Sequence, residues 1–178
     1  MKRTGRLALC GILAGLGVAI MLCSAVMPSF TYALPMVAGG LLLIPSIEFG
    51  SRTALYTYAA TGLLSLILPC DKEAAFLYIA LFGLYPIAKK YFERIHGRWL
   101  EILAKYLYFN AAAVGAVWLA SSILGIPIDT EPFGRWYVPM MLLIGNICFF
   151  IYDITLTGFI PMYIQRLQPV LRRTFHLK

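Results

Sequence analysis

Leu7 to Ile47 reads LALCGILAGLGVAIMLCSAVMPSFTYALPMVAGGLLLIPSI and carries no Asp, Glu, Lys or Arg. A bilayer core takes about 20 apolar residues per helix, so this run is long enough to cross twice, with Pro28 marking the break. The rest of the chain has the same character: of 178 residues, 61% are hydrophobic and 13% charged, and the mean hydropathy is +0.80. That composition excludes a soluble enzyme and predicts an integral membrane protein. The length suits a single transmembrane domain over 1–178, without room for a separate catalytic or nucleotide-binding domain. Lys2, Arg3 and Arg6 ahead of the first apolar run imitate a signal peptide, but the run is too long and lacks a small-x-small cleavage site. The first helix is therefore expected to be retained.

Breaks by proline, glycine and charge predict an all-α bundle of six helices, near 6–27, 31–49, 52–69, 73–92, 100–125 and 136–165. An even number puts both termini on one side. With the N-terminus inside, thirteen of the fifteen Lys and Arg fall on or near the cytoplasmic face, leaving Lys72 and Arg135 outside. This asymmetry predicts an N-in, C-in protein. It also accounts for the net charge of +7 without nucleic acid, since no basic stripe alternates with aromatics. The short turn Ser46–Arg52 leaves a re-entrant hairpin as the alternative to two full spans, which the charge asymmetry favours. Internal prolines such as Pro45 and Pro86 are expected near helix ends.

Several residue groups could carry function. Gly11, Gly15 and Ala19 at four-residue spacing give the first helix a smooth face, suited to packing within the molecule or to docking on another subunit. The outer connections mix charge with aromatics, and Tyr32, Asp71, Lys72, Glu73, Arg135 and Trp136 are candidates to bind a small polar solute. The structural alternative is that Trp136 belongs to an interface belt and that Asp71 to Glu73 cap a helix. Asp153 is the only acid deep in a predicted span, and an ionised Asp at mid-membrane costs about 2.5–3.5 kcal/mol, so it must face inward. Arg52 and Lys105 are the expected cations, with Glu48 at similar depth, and the four predict an inner polar cluster that either pins helices or exchanges partners. Asn110 and Asn146 are expected to turn inward, toward each other's helices or a ligand. Cys10, Cys23, Cys70 and Cys148 stand singly and read as small core residues, and neither His96 nor His176 has the neighbours of a metal ligand or base. No P-loop, GxSxG or HExxH occurs, so no enzyme, metal or cofactor is expected.

With its basic N-terminus, the helix-one sequence Leu7 to Ala19, and six short helices, the chain resembles the substrate-binding S components of energy-coupling factor (ECF) transporters. The resemblance implies that a small-residue face on helix one docks a transmembrane coupling subunit served by separate ATPases. It also implies that outer loops close over a vitamin-like organic solute. Gly11, Gly15 and Ala19 match the docking face, with glycine at two positions where that family has alanine. The outer-loop residues match by position only, and no signature for a particular vitamin is present. A His-rich N-terminus of the nickel and cobalt members is absent. The competing resemblance is to cell-shape scaffolds like the rod-shape determinant MreD, which share a related six-helix fold and move no solute.

Overall fold

A computed structural model describes residues 3–68, 71–95, 97–122 and 136–174, and these are helical throughout apart from short turns. Helix α1, Arg3–Val26, runs unbroken because no proline interrupts it before Pro28. Its Leu9, Leu13, Ala14, Val18, Met21 and Ser24 are buried, whereas Leu7, Ile12 and Leu16 are exposed. The buried side lies against α2 and α4.

The segment expected as one helix over 31–49 is two, α2 (Ala33–Gly40) and α3 (Leu43–Phe49). Pro45 is the cause. It cannot donate to the Leu41 carbonyl four residues back, and its ring crowds that carbonyl. The chain tightens there instead, with Leu42 N bonding Gly39 O at 3.0 Å and Ile44 N bonding Leu41 O at 3.2 Å. Gly50, at φ 87° and ψ 171°, then turns α3 directly into α4, Ser51–Ile67. A left-handed φ suits glycine, which has no Cβ to clash. On α4, Thr53, Thr57, Thr61 and Ser65 recur every fourth residue and are all buried. Thr57 and Thr61 donate to the carbonyls one turn back, at 3.1 and 3.0 Å, which satisfies hydroxyls that no water reaches.

The segment expected as a helix over 73–92 also divides, into α5 (Lys72–Leu77), a π-helical turn at Tyr78–Phe82, and α6 (Tyr85–Phe92). Pro86 has no N–H for Phe82 O, and the chain accommodates it by widening the preceding turn, where Gly83 N bonds Tyr78 O at 2.7 Å. The carbonyls left over are taken by tyrosines. Tyr58 donates to Ile79 O at 2.7 Å and Tyr152 to Phe82 O at 3.1 Å. Side-chain donors of this kind are what lets an irregular turn persist away from water.

Two long helices follow, α7 (Arg98–Ser122) and α8 (Tyr137–Met162); a second π-helical turn, Tyr163–Leu167, leads into α9 (Gln168–Thr174). Phe109 and Ala113 of α7 meet Phe149, Tyr152 and Leu156 of α8 in a core that takes in Leu81, Phe82 and Tyr85. Phe109 stacks on Phe149 with centroids 4.6 Å apart. The opposite faces of both helices present large apolar residues outward, among them Leu103, Leu107, Leu143, Ile147 and Ile151. A continuous greasy exterior is the arrangement lipid requires.

Among the described residues, three helices are long and apolar enough to cross a membrane by themselves, Thr4–Val26, Arg98–Trp118 and Pro139–Leu171. The all-helical membrane class therefore holds, but six uninterrupted spanning helices do not. The other apolar segments are shorter or broken, at Pro45 and Pro86 for the reasons given. The cysteines also differ from expectation: Cys10 is half-buried, Cys23 and Cys148 are exposed, and Cys70 lies outside the described residues.

Candidate functional site

Asp153 stands midway along α8, and three elements converge on it. Tyr85 begins α6 and Lys89 lies one turn later on the same side, while Lys105 occupies the second turn of α7. The Tyr85 hydroxyl donates to Asp153 Oδ1 at 2.5 Å, and the Lys89 ammonium donates to the same oxygen. Lys105 Nζ reaches the other oxygen, Oδ2, at 3.2 Å. Both lysines have further acceptors: Thr157 Oγ1 at 2.8 Å and Glu93 Oε1 at 3.3 Å for Lys89, and Glu101 Oε1 at 2.7 Å for Lys105. Lys89 is 1% exposed and Lys105 7%. Charges so deep are retained only when paired, and here each cation has two carboxylates within reach. Each lysine thus has a carboxylate one turn away besides Asp153, and the cluster clamps α6, α7 and α8.

Of the four residues expected in an inner cluster, Lys105 and Asp153 are brought together and two are not. Glu48 instead accepts from the Tyr163 hydroxyl at 3.1 Å and from Gln168 Nε2 at 2.7 Å, tying α3 to the segment after α8. Arg52 is exposed. The basic residue that reaches Thr53 is Arg6, whose guanidinium also lies 5.6 Å from the centroid of Phe49. Lys89 and Tyr85 are cluster members that the sequence does not single out, because Lys89 borders the basic residues Lys90, Arg94 and Arg98. The available signal was the spacing Tyr85, Lys89, Glu93, which places all three on one side of a helix.

A cavity of about 270 Å³ opens beside this cluster, lined by Leu43, Ser46, Ile47, Pro86, Lys89, Lys90, Glu93 and Ile160.

The outer candidates are brought together in part. Tyr32 donates to Glu73 Oε1 and Thr31 to Asp71 Oδ2, both at 2.9 Å. Asp71 also caps α5, its Oδ1 accepting from Glu73 N at 2.9 Å. The segment after α1 is thereby fastened to the start of α5, and these polar groups satisfy one another. Lys72 is exposed and Trp136 is 69% exposed at the head of α8. Arg135 lies outside the described residues, as does most of the connection that precedes it.

On α1 the small-residue face is open. Gly11, Gly15 and Ala19 are all exposed, and a Cβ built on Gly11 or Gly15 meets nothing within 4 Å. The glycine that packs internally is Gly17, where a Cβ would stand 3.0 Å from Thr61 Cγ2. Packing within the molecule therefore uses a different side of α1 from the face read in the sequence.

Asn110 and Asn146 pair reciprocally, each amide donating to the other's oxygen at 3.0 Å across α7 and α8. Each also donates to the carbonyl one turn back, Tyr106 O at 2.8 Å and Leu142 O at 2.7 Å. Asn110→Leu is expected to destabilise the fold by about 1–2 kcal/mol. In a double-mutant cycle with Asn146→Leu, thermal denaturation in detergent should show the second substitution costing little once the first is made.

No known protein family, curated protein or solved structure matches this chain.

Proposed function

We propose that the protein is the membrane-embedded solute-binding subunit of an uptake system of the energy-coupling factor type. It captures a small, vitamin-like organic solute at the outer face and docks through helix one on a coupling subunit driven by separate ATPases. In this reading the chain crosses the plasma membrane of a prokaryotic cell six times with both termini cytoplasmic. Three crossings are single helices; the others are α2 with α3, α4, and α5 with α6, the π-helical turn before α6 being made tolerable by Tyr58 and Tyr152. The observation that carries the proposal is the open face of Gly11, Gly15 and Ala19, a surface smooth enough for close helix approach and unused inside the molecule. The tether of Tyr32 and Thr31 to Glu73 and Asp71 supports it, since it joins two outer connections that such a solute site would share. A carboxylate shared by two lysines that each have a second acceptor suits a subunit that must reorient.

Gly15→Leu and Gly17→Leu separate docking from folding. Gly15→Leu adds bulk in open space, so expression and melting temperature should stay at wild-type values while the coupling subunit no longer co-purifies. Gly17→Leu drives a side chain into Thr61 and should lower the melting temperature. Trp136→Ala should leave the complex intact but lose a small molecule that native mass spectrometry finds on the wild type. Binding and assembly unchanged in Gly15→Leu and Trp136→Ala would refute the proposal.

A cell-envelope scaffold of the MreD type is the second reading, favoured by one observation: Tyr32, Asp71 and Glu73 spend their polar groups on one another. It predicts no bound solute, and partners drawn from envelope assembly rather than ATPases.

A further inference from the structure

The cavity beside Lys89 has two unlike walls. Leu43, Ile47, Pro86 and Ile160 make one side apolar, and Ser46, Lys89, Lys90 and Glu93 make the other polar. Not every charge there is free to meet a ligand. Lys89 is held by Asp153, Thr157 and Glu93, and Glu93 is engaged on that side by Lys89. Lys90 is exposed and makes no ion pair among the described residues. Ser46 is 4% exposed, and its hydroxyl has no hydrogen-bond partner among the described residues. Its oxygen is not among the sealed, unpaired hydroxyls, which among the described residues are those of Ser65, Tyr78 and Tyr108, so it opens on the cavity and is free to bond an occupant. An occupant that matches these walls offers oxygen acceptors to Ser46 and an anionic group to Lys90, with an apolar remainder for Leu43, Ile47 and Ile160.

The position narrows the chemistry further. Lys89 and Lys90 form the last turn of α6, which ends at Phe92, and Arg94 and Arg98 follow. In a membrane protein that is the level of the lipid headgroups, and a basic rim there attracts anionic ones. About 270 Å³ is enough for a headgroup and its glycerol, not for two acyl chains, which would run outward along the apolar exterior.

We propose that this cavity seats the phosphodiester headgroup of a membrane phospholipid, with phosphate oxygens on Lys90 and Ser46 and the glycerol end against Leu43, Ile47 and Ile160. The bound lipid would fill the gap between α3, α6 and α8 next to the Asp153 cluster. This proposal rests on the membrane reading of the chain and not on solute uptake.

The test is native mass spectrometry of the full-length protein, purified in mild detergent and supplied separately with phosphatidylglycerol, phosphatidylethanolamine, a glucosyl diacylglycerol without phosphate, and soluble glycerol 3-phosphate. Both phospholipids should remain bound, whereas the glycolipid and the soluble phosphate should not. Lys90→Ala, a surface change that leaves the fold alone, should lower the bound phospholipid fraction about fivefold. Ser46→Val should lower it by a smaller factor, and Lys72→Ala, which does not line the cavity, should not change it. Equal retention of the glycolipid, or wild-type retention by Lys90→Ala, would overturn the proposal. So would binding of soluble glycerol 3-phosphate at the concentrations that load lipid. An alkaline carbonate wash of the source membranes checks the reading beneath it: release of the protein would sink the membrane assignment, while retention with no lipid preference would sink the cavity proposal alone.

Discussion

Asp153→Leu should remove most of the folded protein from a mild detergent extract. The substitution leaves Lys89 and Lys105, both buried, with only Glu93 and Glu101, and takes the acceptor from the Tyr85 hydroxyl. Removing one partner of a buried ion pair costs about 3–5 kcal/mol, and although Glu93 and Glu101 still face the lysines, each lysine loses one of its two carboxylates together with the bonds that join α6 and α7 to α8. That is a large share of the roughly 5–15 kcal/mol by which a domain is stable. Asp153→Asn should cost less, since an amide keeps the shape and one acceptor. The informative variant is Lys89→Met combined with Asp153→Leu. Well-packed apolar pairs often replace buried ion pairs without loss, so the double variant should recover most of the melting temperature lost by the single one. Size-exclusion profiles and thermal denaturation of the three variants would check this. A single Asp153→Leu protein as stable as wild type would mean that the three helices do not depend on the cluster.

Gly39→Ala should be nearly as damaging, although it adds one methyl group. A Cβ at position 39 would stand 2.3 Å from Phe82 O, 2.8 Å from the Phe82 carbonyl carbon and 2.8 Å from the Tyr152 hydroxyl. The first two are backbone atoms of the π-helical turn, so no rotamer change can relieve the contact. Overpacking of a tight interface costs about 1–3 kcal/mol, and more when backbone must move. Relief here requires Phe82 to retreat, which also breaks its hydrogen bond with Tyr152. The neighbouring glycine predicts the opposite sign. A Cβ on Gly40 meets only Leu156 Cδ2 at 3.7 Å, an ordinary contact. Gly40→Ala should be neutral or stabilise by up to about 1 kcal/mol, because alanine restricts the unfolded chain more than glycine does. Melting temperatures of the pair, measured side by side in one detergent, test how closely α2 approaches the π-helical turn.

The contrast between Gly39 and Gly40 shows where a sequence stops being informative. Both sit in an apolar run whose membrane character is plain from Leu7 to Ile47, yet which of them touches Phe82 depends on a segment forty residues away. The same holds on α1. Spacing identified Gly11, Gly15 and Ala19 as a smooth face, but Gly17 lies between them, and only its contact with Thr61 shows which side packs inward. Helical content followed from hydrophobic runs, since those runs need no long-range information. The breaks in 31–49 and 73–92 fall just ahead of Pro45 and Pro86, each in the first turn of the helix that follows, as expected of prolines near helix ends, because a proline acts on the carbonyl one turn before it. In the inner cluster, Asp153 stood out because a lone acid in an apolar helix must find a partner. Its principal partner, Lys89, was hidden by position: it closes a helix whose following residues are basic and exposed, and sequence adjacency grouped it with them. Tyr85 gave no signal as an aromatic among aromatics, and its hydrogen bond to Asp153 depends on the pitch of α6.

The central claim is that this chain works as a docked membrane subunit, with helix one as the contact. Native mass spectrometry of the tagged protein, gently extracted from its own membranes, tests it most directly when wild type and Gly15→Leu are compared. The wild type is expected to carry a second membrane subunit with a pair of ATPases, and Gly15→Leu to be recovered folded without them. A wild-type protein found alone, or the same assembly on Gly15→Leu, would contradict it.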